Sequence, residues 1–180
     1  RYLSVYGRGL SGAVIMGTGA NPDAVAKLGM AVCKAIAAFK GWKYRSPFME
    51  KLFFSGDFQK FDMDGTRPEN SWLTKDTEIV RFYYSEPRCT FKFTLKAYYD
   101  FLKTVYYVNR KENVEKIPKD LPILMVAGDC DPVGEFGKAV KRVYEMYKAA
   151  GINDVTLKLY ENDRHEILNE TDKERVFDDI

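Results

Sequence analysis

The chain has 180 residues, 46% hydrophobic and 30% charged, enough apolar side chain for one ordinary globular domain with room for an inserted subdomain. Its 28 basic and 26 acidic residues are interspersed and leave a net charge of +2, so nucleic acid is not an expected partner. Cys33, Cys89 and Cys130 are odd in number and lack metal-ligand spacing, which favours reduced thiols in a cytoplasmic setting over disulfides or a zinc site, and no apolar run reaches the length of a membrane span.

Arg1 to Tyr6 read as the end of a helix closed by Gly7, and Ala13 to Met16, between Gly12 and Gly17, as a short buried strand. Gly9-Leu-Ser11-Gly12-Ala13 loosely mimics the Gly-x-Ser-x-Gly nucleophile elbow. An elbow needs a strand before its serine and a helix after it, to thrust the hydroxyl out at the top of a sheet. Here the order is reversed.

Asn21-Pro22-Asp23 is a helix start: a capping Asn, Pro at the first helical position, and an acid near the positive end of the dipole. Val25, Leu28, Val32, Ile36 and Phe39 then trace one apolar face as far as Gly41. From Trp42 to Phe61 the pattern loosens into short pieces, and helical runs resume over residues 75–84 and 93–109, bringing Phe82, Tyr83, Tyr98, Tyr99, Phe101, Tyr106 and Tyr107. Aromatics at helical spacing are core before they are a ligand cradle. The stretch from Thr18 to Lys119 nevertheless lies between two strands and far exceeds a single crossover, so it reads as a helical cap over the strand ends, suited to substrates with an apolar arm such as an acyl chain. Within it, Asp62-Met-Asp64-Gly65-Thr66 resembles the Asp-x-Asp-Gly-Thr signature of haloacid-dehalogenase-like phosphatases, where Asp62 would attack phosphorus and Asp64 act as acid and base. No apolar strand leads into it, so an Asp-Gly turn is the better reading and the phosphatase an alternative.

Ile123 to Ala127 form an uninterrupted apolar run, as a parallel strand buried on both faces requires, opening at Gly128 into the loop Asp129-Cys130-Asp131. Phe136, Val140, Val143 and Tyr147 mark the buried face of a helix capped by Gly151, and Val155 to Tyr160 alternate as a half-buried strand leading to His165, the only histidine. In an open parallel sheet the strand C-termini share one edge, so Asp131 and His165 follow two strands onto that edge. A buried carboxylate accepting from an imidazole fixes its tautomer and steadies the imidazolium formed when the ring takes a nucleophile's proton. Cys130 reads as filler beside the acid and Asp129 as a turn residue. Val140 stands where a calcium loop would need Glu, and Asn169 where His-Glu-x-x-His would need its second His, so neither metal nor cofactor is expected.

Gly128-Asp-Cys-Asp131-Pro-Val-Gly134, a helix, a strand and Arg164-His165-Glu166-Ile-Leu-Asn169-Glu170 resemble the last part of α/β-hydrolases of the monoacylglycerol lipase, lysophospholipase and serine aminopeptidase type. Asn70 to Asp76 and Pro87 to Thr94 are similar to cap-region stretches of bacterial members, and the resemblance spans essentially the whole chain. It implies an α/β class: the C-terminal part of an α/β-hydrolase fold, a parallel sheet flanked by helices with a helical cap insertion. Residues 1–17 and 120–180 would be hydrolase core and 18–119 the cap. It implies a Ser-Asp-His triad with Asp131 as acid, His165 as base, and the serine upstream of Arg1 together with the oxyanion-hole donors. The chain would then be a fragment, inactive alone, of a serine hydrolase cleaving lipid-type carboxylic esters (monoacylglycerol or lysophospholipid), with peptide cleavage also within reach of such a triad. The partner would be a small-molecule acyl ester, and a sheet without its earlier strands could self-associate through its exposed edge. The non-enzymatic alternative is a binding module on the same fold without a competent elbow.

Overall fold

The computed structural model of the protein describes residues 1–20 and 22–180. Its elements are α1 (Tyr2–Tyr6), β1 (Ala13–Met16), α2 (Asp23–Lys40), α3 (Pro47–Phe53), α4 (Thr77–Ser85), α5 (Leu95–Val108), α6 (Lys111–Val114), β2 (Ile123–Gly128), α7 (Lys138–Ala149), β3 (Val155–Tyr160) and α8 (Glu174–Phe177), with 3-10 turns at Gly56–Lys60, Pro68–Asn70 and Ile167–Asn169. The three strands form one parallel sheet in the order β1-β2-β3. Ala13 pairs with Ile123 and Met16 with Val126, while Ile123 pairs with Val155 and Gly128 with Tyr160. All three strands therefore end on the same edge.

The central strand is apolar throughout because both of its faces are covered. Ile123 and Met125 pack with Val143 of α7, Ile152, Val114 and Ile117, and Val126 packs on the other side with Tyr160, Ile167 and Val176. Each such side chain contributes about 1.5–3 kcal/mol on leaving water, so the last two strands are anchored on both faces. Gly151 takes the expected left-handed conformation (φ 82°) past α7. Gly7 does not (φ −67°); a Cβ there would stand 2.3 Å from the Leu3 carbonyl oxygen and 2.8 Å from Pro118 Cδ, so close approach is what requires glycine.

Between β1 and β2 lies a long helical insertion with its own core of Cys33, Ala37, Met49, Leu95, Tyr98 and Leu102. Its first helix departs from the sequence reading. The buried stripe of α2 is Ala26, Gly29, Cys33 and Ala37, whereas Val25, Leu28 and Phe39 of the expected apolar face are exposed. Small residues let α2 approach α5 so closely that a Cβ on Gly29 would lie 2.7 Å from Leu102 Cδ1. Close packing of a narrow stripe has outweighed burial of the larger side chains. The expected Asn21 cap lies outside the described residues, and Pro22 occupies the cap position rather than the first helical one.

Helices α3, α4 and α5 start at side-chain caps, with Ser46 accepting from the Met49 amide at the first of them. Asp76 accepts from the Glu78 and Ile79 amides, and Thr94 from Ala97, which places the starts of α4 and α5 two residues after the hydrophobic pattern suggests. Phe136 is not on α7 as expected: it and Glu135 have left-handed backbones (φ 55° and 49°), and the helix begins only after Gly137.

Candidate active site

The residues that follow β2 and β3 come together at the shared edge. Gly128 ends β2 against the next loop, where a Cβ would be 2.0 Å from the Asp163 carbonyl oxygen. The two loops are stitched by Cys130 N–H to Asp163 O (2.8 Å) and by Asn162 N–H to the Asp129 carboxylate (2.7 Å). Asp129 is thus spent holding the turn. Asp131, two residues on, is fully buried; its Oδ1 accepts from the Val133 amide at 2.8 Å, leaving Oδ2 facing His165 Nδ1 at 2.9 Å.

A carboxylate can only accept, so the neutral imidazole carries its proton on Nδ1 and leaves the Nε2 lone pair free. Burial lowers the pKa of His165, but the hydrogen bond and charge of Asp131, with the charge of Glu166, outweigh it and hold the value above the ordinary one. The ring stacks on the Trp72 indole (centroids 5.3 Å apart, planes at 30°), and Gly17, at the end of β1, has a positive φ and leaves no room for a side chain beside Cε1 and Nδ1.

The loop carrying His165 is locked to residues 69–76 of the insertion. The Arg164 guanidinium donates to the carbonyls of Glu69 (2.9 Å), Ser71 and Thr74 (3.2 Å), and the amides of His165 and Glu166 donate to Trp72 O (3.4 Å) and Leu73 O (2.8 Å). Glu170, fully buried, accepts from the amides of Arg164 (2.7 Å) and Lys75 (2.8 Å) and from the Thr74 hydroxyl (3.0 Å). Asp163, Glu170 and Asp172 gather carboxylates as a cation site would, but Lys75 Nζ lies 2.7 Å from Asp163 and 3.1 Å from Asp172, and Arg175 2.8 Å from Asp163. The protein's own cations fill the cluster.

Other residue readings divide in the same way. Both oxygens of Asp62 serve its own turn, one accepting from the Gly65 amide (2.7 Å) and the other from the Thr66 hydroxyl (3.1 Å), while Asp64 accepts from Thr66. This turn caps no sheet strand, and the phosphatase alternative is set aside. Burial and the neighbouring Asp129 push the Cys130 thiol up, so it stays protonated and poorly nucleophilic. Ser11 precedes β1 and so lies at the strands' N-terminal edge, a strand's length from His165. Two clefts of about 190 and 370 Å³ open near that same far edge, away from the acid–base pair. Trp72, Lys75, Arg164 and Glu170 carry no chemical signal in the sequence; only the Arg164-His165 adjacency and the Asn70–Asp76 stretch hinted at them.

The family model described as "Serine aminopeptidase, S33" matches residues 1–172. The chain belongs to this hydrolase family. Its fold is correspondingly that of α/β-hydrolases. A thermostable carboxyl esterase from Bacillus coagulans, solved with glycerol, is 26% identical over 99% of this chain and 57% of its own, with a TM-score of 0.83. A lipase in an open form is 22% identical (TM-score 0.75; 98% of this chain, 57% of its own). A soluble variant of monoglyceride lipase from Saccharomyces cerevisiae, solved with a substrate analogue, is 20% identical (TM-score 0.67; 99% and 57%). This family member thus spans a little over half the length of those solved structures. No curated protein matches it significantly. Among the described residues no helix is long and apolar enough to cross a membrane.

Proposed function

We propose that this chain supplies the acid–base half of a serine hydrolase acting on carboxylic esters with an apolar acyl arm, of the monoacylglycerol or lysophospholipid kind, and that the nucleophilic serine lies in a segment preceding Arg1. The observation that carries this reading is the buried Asp131 carboxylate 2.9 Å from Nδ1 of the only histidine. Support for an upstream serine comes from Ser11's position at the opposite edge and from the 57% coverage of the carboxyl esterase.

In the proposed reaction His165 Nε2 takes the serine proton as the serine oxygen attacks the ester carbonyl, and Asp131 steadies the resulting imidazolium. The imidazolium then returns the proton to the departing alkoxide, leaving an acyl-serine. Water, deprotonated by Nε2, releases the acid and restores the serine. Oxyanion donors would arrive with the serine, one of them the amide that follows it. The insertion serves as a cap, with Trp72, Phe54 and Phe58 in mutual contact next to His165 offering an apolar wall to the acyl chain.

The test is hydrolysis of nitrophenyl esters of graded chain length by a polypeptide that carries this chain with its upstream segment. Expected is turnover that rises with acyl length and collapses in His165→Ala. Turnover indifferent to His165→Ala sinks the assignment, and no turnover from a product lacking an upstream Gly-x-Ser-x-Gly moves the chain to a binding role.

A further inference from the structure

The aromatic face against His165 has no part in the acid–base pair itself, yet it lies where an imidazolium would form. Trp72 stacks on the ring at 5.3 Å with only 30° between planes, and its own backbone carbonyl accepts from the His165 amide. The contact is therefore fixed at both the side chain and the main chain. Phe54 and Phe58 lie 6.4 and 5.4 Å from the indole and brace it from the insertion. A π-face within about 6 Å of a cation attracts it, and does so more strongly when the pair is shielded from water.

We propose that Trp72 is a positioning residue for His165: its indole holds the imidazole in the orientation that keeps Nδ1 on Asp131 and Nε2 free, and it selectively stabilises the protonated ring. The inference rests on the proposed role of His165 for its catalytic meaning, but its physical content is a property of the ring alone. Two further groups bear on that ring's charge, and a third titratable group lies nearby. Asp131, from the loop after β2, and Glu166, beside His165, both favour the imidazolium. Tyr84, behind Trp72, is neutral, because burial pushes its hydroxyl up to about 12. At its Cε1 and Nδ1 the imidazole ring faces the backbone of Gly17.

His165 is the only histidine, so its imidazole signals in a proton NMR spectrum of the 180-residue chain need no disentangling. Titrating them in the unsubstituted chain, Trp72→Phe and Trp72→Leu tests the proposal. Leucine keeps an apolar cover and removes the π-face, so a simple loss of burial is not what is read. The imidazole should titrate about half a pH unit lower in Trp72→Leu, with Trp72→Phe, a weaker face, between the two. Nuclear Overhauser contacts between the imidazole and indole protons should be present in the unsubstituted chain on both sides of the titration, a readout that stands even if Trp72→Leu fails to fold. Absence of those contacts, or a Trp72→Leu midpoint equal to or above the original, overturns the proposal. Because no substrate is involved, a negative ester assay leaves this result untouched, and the converse also holds.

Discussion

Burial of His165 opposes its protonation, while Asp131 and Glu166 favour it, and the favourable charges win. A histidine whose folded pKa lies above its unfolded value of about 6.5 stabilises the fold fully at pH below that value, and the contribution is lost as the pH rises through the raised folded pKa. Denaturation followed across pH 5–9 should show this decline in the unsubstituted chain and a weaker one in Asp131→Asn; identical profiles would mean that the pair carries no linkage. On the proposed reading His165 acts as base only when neutral, so ester turnover by the upstream-extended polypeptide should increase over the same interval in which this stability is lost. That Asp131 and His165 would meet was legible from residue type and from their positions after two parallel strands. Trp72 was not, since an indole announces packing and nothing in its spacing says which ring it will meet.

Among the elements, the decisive contact is between residues 69–76 of the insertion and the loop that follows β3. Lys75 reaches toward a pair of fully buried carboxylates, Asp163 and Glu170; burial lowers its pKa, but its hydrogen bonds to Asp163 and Asp172 and the charges of Asp163 and Glu170 outweigh that and raise it. Removing one partner from such a cluster strands charge in a poorly solvated place. Lys75→Met should cost about 2–4 kcal/mol in urea unfolding, the low end of that range reflecting the remaining Arg175–Asp163 pair. A loss below about 0.5 kcal/mol would make this an ordinary surface pair. The three strands could be read from the sequence because β1 and β2 are short apolar runs ending at glycine and β3 alternates apolar and polar residues, patterns with few alternatives. For α2 the same logic named the wrong face: hydrophobic periodicity ranks residues by transfer free energy, and the Ala26-Gly29-Cys33-Ala37 stripe wins by how near it lets α5 come. The start of α7 was misplaced because two left-handed non-glycine residues, Glu135 and Phe136, break a helical pattern that side-chain types alone continue.

Across the whole molecule, the proposed chemistry lies at one edge of a three-stranded sheet, and β1, with Val14 and Met16 partly exposed, stands at the sheet's margin. A strand with one unpaired flank is a ready partner for another, and on the proposed reading the segment that brings the serine also brings that strand. The insertion and the sheet are joined through the histidine loop, so on the proposed reading cap and catalytic base would move as a unit. The most direct test is fluorophosphonate labelling of the upstream-extended polypeptide beside the 180-residue chain, with the modified residue located by peptide mass spectrometry. The account predicts a label on a serine preceding Arg1, strongly reduced in His165→Ala and absent from the 180-residue chain. A label on Ser11, or one undiminished by His165→Ala, would contradict it.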